Sequence, residues 1–169
     1  MHKINEEQIN KKYIITEGKT SISIFIFPIF IFISSIIHLI TNSKNNYIVL
    51  FICIPFFIFS FLNYFNKKII LTKSTIYLFI NKKSTFSVKL SSNFKLFDIK
   101  QTKIGKILNY GTIYIVDTNN NFIEYKFFKD PLSFRKKLVK VYEREMKKIN
   151  PDFQIEETNE QKSVLDKVE

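Results

Sequence analysis

A chain of 169 residues suffices for one folded domain and an appendage. Its 26 Lys and Arg against 15 Asp and Glu give a net charge of +11, which draws it toward anionic surfaces. Three glycines argue against a glycine-rich phosphate loop, and a single cysteine, Cys53, excludes an internal disulfide and a multi-cysteine metal site.

Residues 1–20 are polar, with Lys3, Lys11, Lys12 and Lys19, and are expected as a segment preceding the folded parts. The composition then changes abruptly. From Ser21 to Phe65 the only Lys, Arg, Asp or Glu is Lys44. Residues 21–40 and 47–65 are runs of Ile, Phe and Leu, each close to the ~20 residues a helix needs to cross a bilayer. Each such residue favours insertion by roughly 0.3–0.6 kcal/mol, and the sum outweighs Ser34, Ser35 and His38. Buried strands run only about 4–8 residues before a turn, so length selects helices. The first run is also long for a signal peptide and lacks a small-x-small cleavage site after it. Two transmembrane helices in a hairpin are therefore expected. Pro28 and Pro55 are kinks that membrane helices tolerate, and His38 lies near enough to a helix end to reach the interface. Lysines flank the pair at Lys3, Lys11, Lys12 and Lys19 and at Lys67, Lys68 and Lys73, whereas the connection holds only Lys44. The positive-inside rule then places both termini in the cytoplasm of a multi-pass protein of the cell membrane.

Residues 66–150 read as a separate domain. Period-two alternation predicts strands over 68–72, 75–80, 85–90, 94–101, 112–116 and 122–127, with Asp117-Thr-Asn-Asn-Asn121 as a hairpin turn. Asp130 and Pro131 suit the cap and first position of a helix. Phe134, Leu138, Tyr142, Met146 and Ile149 recur on one face of it, and Asn150-Pro151 ends it. The expected fold is α+β: a small antiparallel barrel or half-barrel capped by a C-terminal helix, behind the hairpin. Residues 151–169 read as a disordered acidic tail.

These residues carry a resemblance. Two apolar segments are followed by strands, by the block Gly105-Lys-Ile-Leu-Asn-Tyr-Gly111-Thr-Ile-Tyr-Ile115, and by Asp130-Pro131 opening the last helix. Glu17-Gly18 and Leu71-Thr72 fit the same pattern. Over residues 13–149 the chain resembles the bacterial PH-domain membrane proteins of the YdbS/YdbT type. It departs from them in carrying Lys73 and Lys106 where arginines are frequent, which weakens any inference of bidentate anion contacts. The resemblance implies a pleckstrin-homology-like fold and a non-enzymatic role at the membrane, without naming a ligand. Gly105, Asn109, Tyr110, Gly111, Asp130 and Pro131 form the matching motif and read as structural. The two glycines bracket a turn that needs positive φ or close backbone approach, and the Tyr110 ring is expected on the barrel rim.

No catalytic set is visible. His2 and His38 lie outside the domain, zinc-ligand spacing is missing, and Asp98, Asp117 and Glu124 give no reason to converge. No enzyme activity, cofactor or metal is expected. The chemical signal is positive charge, and the candidate contacts to anionic lipid headgroups are Lys67, Lys68, Lys82, Lys83, Lys103, Lys106, Arg135 and Lys136. A merely solvated lysine-rich face is the competing account. Nucleic acid is disfavoured because the aromatics follow strand-core spacing. The expected function is a membrane-anchored scaffold or lipid- or protein-binding module, with a protein partner or a second copy of the chain as further partners. The alternative is an accessory subunit of a membrane transport or export complex, its helices packing through Ser34, Ser35 and Ser60.

Overall fold

The structure, a computed structural model, describes residue 9 and residues 13–41 and 48–153. The expected loop at 41–46 falls almost wholly outside these residues, as does the acidic tail from 154 onward.

The first strand, β1 (Ile14–Lys19), precedes the apolar helices. The sequence does not announce it: residues 1–20 read as a polar leading segment and the domain as starting at 66. A 3-10 turn (Ile22–Phe25) leads into α1 (Ile26–Thr41), and α2 (Ile48–Asn66) returns. Pro28 falls in the first turn of α1, where a missing N–H costs least, and Pro55 is inside α2. The helices are antiparallel: Phe27 meets Phe56 at 5.6 Å and Phe25 meets Tyr64 at 5.5 Å between ring centroids. Small residues let them approach. Buried Ser35 lies 3.5 Å from the Cys53 sulfur, and buried Ser60 donates to the Ile24 carbonyl at 3.3 Å. Ser35 and Ser60 are thus used between the two helices of one chain, while Ser34 is exposed. Among the described residues, one helical stretch, Ile22–Thr41, is long and apolar enough to cross a membrane by length and composition.

With no residue between them, α2 passes into β2 (Lys67–Thr72). Strands β3 (Thr75–Ile80) and β4 (Lys83–Lys89) complete an antiparallel sheet in the order β1-β2-β3-β4. The chain turns over at 90–93, Leu90 entering the core, and β5 (Phe94–Lys100) opens a second sheet. A short helix, α3 (Lys103–Ile107), precedes β6 (Tyr110–Asp117) and β7 (Phe122–Lys129), giving the order β5-β6-β7. The last element is α4 (Pro131–Ile149).

Among the described residues the sheets do not close into a barrel. β4 and β5 share no ladder, and the two sheets meet through the bridge between Thr20 and Phe128. Instead α4 packs against both, meeting β1 of the first sheet and β5 and β6 of the second. Phe134, Leu138 and Val141 join Ile69, Leu71, Leu78, Val88, Ile113, Ile115 and Phe128 in one core. The buried stripe of α4 differs from the expected one. Past Leu138 it runs through Val141 and Glu145, with Tyr142 half-buried against the core as expected, whereas Ile149 is exposed.

Gly18 fixes how tightly β1 lies over this core. A Cβ there would stand 1.9 Å from the Phe128 ring, so only glycine lets the ring sit beneath the strand.

Candidate functional site

The place where the helices leave the domain is built from four separate parts of the chain. Lys19, at the end of β1, pairs in register with Lys68 near the start of β2. Asn81, in the β3–β4 turn, donates its N–H to the Asn66 carbonyl at the end of α2. Tyr125 of β7 reaches across and donates to the Lys67 carbonyl at 2.7 Å. Its hydroxyl also lies 2.8 Å from Thr20 Oγ1, which donates to the Asn63 carbonyl at 3.0 Å. Burial pushes the Tyr125 phenol up to about 12, so it stays a neutral donor at this junction.

Beside this clasp lies a cleft of about 520 Å³ lined by Lys19, Lys67, Lys68, Lys82 and Lys129, with Thr20, Tyr64, Phe65, Asn66 and Phe79. The lining holds five lysines and neither Asp nor Glu. Two features sharpen its charge. Lys19 and Lys68 face each other across adjacent strands, an arrangement that costs stability between like charges. Lys82 occupies a two-residue hairpin turn with Asn81, both at positive φ (64° and 53°). That turn type favours glycine at its second central position, so a lysine there is held against its local preference. Glu17 approaches Lys19 only to 4.0 Å, and both side chains are exposed.

Of the eight candidate lipid contacts, Lys67, Lys68 and Lys82 line the cleft. Lys83 follows as the exposed first residue of β4. Lys103 and Lys106 on α3, and Arg135 and Lys136 on α4, lie outside its lining. Lys19 and Lys129 were missed as contacts. Lys19 flanks the first apolar run as Lys67 flanks the second, and that symmetry was a usable signal. Nothing local marks Lys129, which arrives through the bridge between β7 and the end of β1.

The motif residues gather instead at one corner of the second sheet. Asn109 (φ 51°) and Asp130 (φ 49°) supply the left-handed conformations there, and the Asp130 N–H donates to the Asn109 carbonyl at 3.0 Å. The glycines provide close approach and have no positive φ. A Cβ on Gly105 would meet the Tyr110 carbonyl oxygen at 2.7 Å, and one on Gly111 would meet Gln101 at 2.7 Å. Tyr110 stacks on Phe127 with centroids 5.5 Å apart, and buried Pro131 starts α4 behind Asp130, whose carboxylate accepts from the Ser133 N–H.

Among the described residues, no group of three His, Cys, Asp or Glu could hold a metal ion. No protein-family model, curated protein or solved structure matches the chain. The fold therefore stands on its own geometry: an α+β protein of two antiparallel sheets and a capping helix, from which apolar helices project.

Proposed function

We propose that this chain is a non-enzymatic, PH-like module rooted in the cytoplasmic membrane, with both termini inside, which presents its sheet domain as a binding platform at the membrane face. One observation carries the reading: the helices are inserted between two adjacent strands of the domain's own sheet and are not attached by a linker. A bilayer holding the helices thereby fixes the orientation of the sheets. The outward side chains of the helices support the membrane part. Phe30 is 71 % exposed and Phe51 68 %, and their neighbours along both helices are equally apolar, a surface that water penalises and hydrocarbon accepts. The 19 residues of α2 rise about 28 Å, which matches a second crossing. The lysine asymmetry of the sequence supports the orientation. The two-sheet, helix-capped topology supports the PH-like comparison.

Membrane fractionation and cysteine labelling test this directly. In a Cys53→Ser background, the full chain should stay in the membrane pellet under alkaline carbonate. Asn45→Cys should react with an impermeant maleimide on intact cells, and Asn150→Cys only after permeabilisation. Release by carbonate would remove the membrane reading, and the opposite labelling pattern would reverse the orientation.

A further inference from the structure

We propose that the lysine cleft at the root of the helices is a binding site for one phosphate-bearing anionic headgroup. The inference rests on the membrane reading above and gives that platform a ligand class.

The position comes first. The lining includes Tyr64, Phe65 and Asn66 from the last turn of α2 together with Lys67 and Lys68, the first residues beyond it. A helix that crosses a bilayer puts this transition at headgroup level, so a lipid phosphate meets the cleft from the side without leaving its leaflet. Charge comes second. Five lysines, from β1, β2, the β3–β4 turn and β7, line the cleft, and neither Asp nor Glu does. Lys82 lines it despite its left-handed backbone. Shape comes third. About 520 Å³ admits a headgroup, and Tyr64 and Phe65, at the end of α2, give the cleft an aromatic part suited to the apolar end of a lipid headgroup. Lysines act as point charges and do not form a rigid fork, so the site selects phosphate charge more than headgroup identity.

A lipid headgroup and a free phosphate ester share this chemistry, and the experiment separates them. The full chain in neutral detergent micelles is titrated with pyrene-labelled phosphatidylglycerol, and bound lipid is counted by native mass spectrometry. One lipid per chain is expected. The triple variant Lys19→Gln, Lys82→Gln, Lys129→Gln should lose tenfold or more in affinity, at about fivefold per lysine close to the phosphate. Lys103→Gln, Lys136→Gln, Lys140→Gln removes the same charge outside the cleft and should stay within a factor of about three. Lys82→Gly provides a second arm: the hairpin turn should become more stable while lipid binding weakens, a split that general unfolding cannot produce. Competition by millimolar glycerol 3-phosphate would assign the site to free phosphate esters, and its failure would assign the site to lipid. Equal losses in the two triple variants, or unchanged binding in the cleft triple, would overturn the proposal. Failure of the membrane reading shows separately, as failure of the full chain to float with vesicles of phosphatidylcholine alone.

Discussion

Replacing Tyr125 with Phe deletes one oxygen from the point where β7, β1, α2 and β2 meet. The ring can stay where it is, 5.4 Å from Phe128 in an edge-on contact, so the change isolates the hydroxyl. Its hydrogen bond to the Lys67 carbonyl at 2.7 Å goes with it, as does the 2.8 Å contact with Thr20 Oγ1. Tyr125 is only 3 % exposed, so water does not readily replace the lost donor. Leaving a buried acceptor unsatisfied costs about 1–3 kcal/mol, and that is the expected loss at neutral pH. The pH dependence supplies an independent check. The folded chain holds the phenol proton up to about pH 12, whereas an unfolded tyrosine releases it near 10.0. The hydroxyl's contribution is therefore whole below pH 10 and disappears as pH climbs through 12. Two pH units correspond to about 3 kcal/mol. Urea unfolding of both proteins in the same micelles, followed by circular dichroism, should show wild type more stable at pH 8 and the gap closing by pH 12. Other tyrosines and lysines titrate in both proteins and cancel in the difference. A gap that stays constant from pH 8 to 12 would refute the account of Tyr125 as a buried neutral donor. Hydrogen exchange should also show faster exchange at the end of β1 and the start of β2 in the variant.

Three further outcomes are expected. Gly18→Ala drives a Cβ to 1.9 Å from the Phe128 ring and should lower stability by about 2–3 kcal/mol in the same unfolding assay; combined with Phe128→Leu, the loss should fall short of the sum of the two. Leu138→Ala should cost about 2–5 kcal/mol and Ile149→Ala less than about 0.5 kcal/mol, which checks by thermal unfolding that the buried stripe of α4 runs through Val141 and leaves Ile149 outside. Asp117 accepts from Asn121 Nδ2 and from the Asn121 and Asn119 N–H groups, and these bonds hold its carboxyl below the ordinary value of 3.8. Its stabilisation is present above that value and is lost as pH falls through the lowered one, so an acid titration of the melting temperature should lose this component in Asp117→Asn.

Much of the fold is legible because periodicity reports burial. Strands β2 to β7 alternate well enough to be read one by one, and Asp130-Pro131 marks the start of α4 through local cap chemistry. Two features resist such reading. Along α4 both Met146-Ile149, continuing from Tyr142, and Val141-Glu145, continuing from Leu138, lie at helical spacing. The choice between them depends on where the sheets end, which no local pattern encodes. The Glu145 carboxylate is tolerated in the buried stripe because Lys148, one turn on, pairs with it. The strand β1 is harder still. Ile-Ile-Thr-Glu-Gly-Lys is short and mixed, as suits an edge strand, and its partner β2 lies beyond two apolar helices in the chain. The cleft inherits that difficulty, since Lys19 and Lys129 meet Lys67, Lys68 and Lys82 only once β1 is in the sheet.

The placement of β1 also explains why a cleft forms at all. Packed helices keep their axes about 8–10 Å apart, whereas paired strands lie about 4.8 Å apart. Here the same two chain segments are helices on one side of the root and neighbouring strands on the other, so they must converge within a few residues. On one side the 3-10 turn (Ile22–Phe25) and Thr20-Ser21 take up the difference, with Ser21 capping the turn by accepting from the Ser23 N–H. On the other side α2 runs into β2 with no intervening residue. The mismatch leaves a wedge of space that backbone cannot fill. Three of the lysines lining it, Lys19, Lys67 and Lys68, flank the apolar helices in sequence, the position at which lysines orient helices across a bilayer. In the proposed reading, one set of lysines therefore serves two purposes: it fixes which side of the membrane the domain occupies and gives that domain its charged cleft. The same coupling leaves the root little freedom to change length. A single residue added between Asn66 and Lys67 would either unwind the end of α2 or shift β2 by one position, turning Ile69 and Leu71 out of the core.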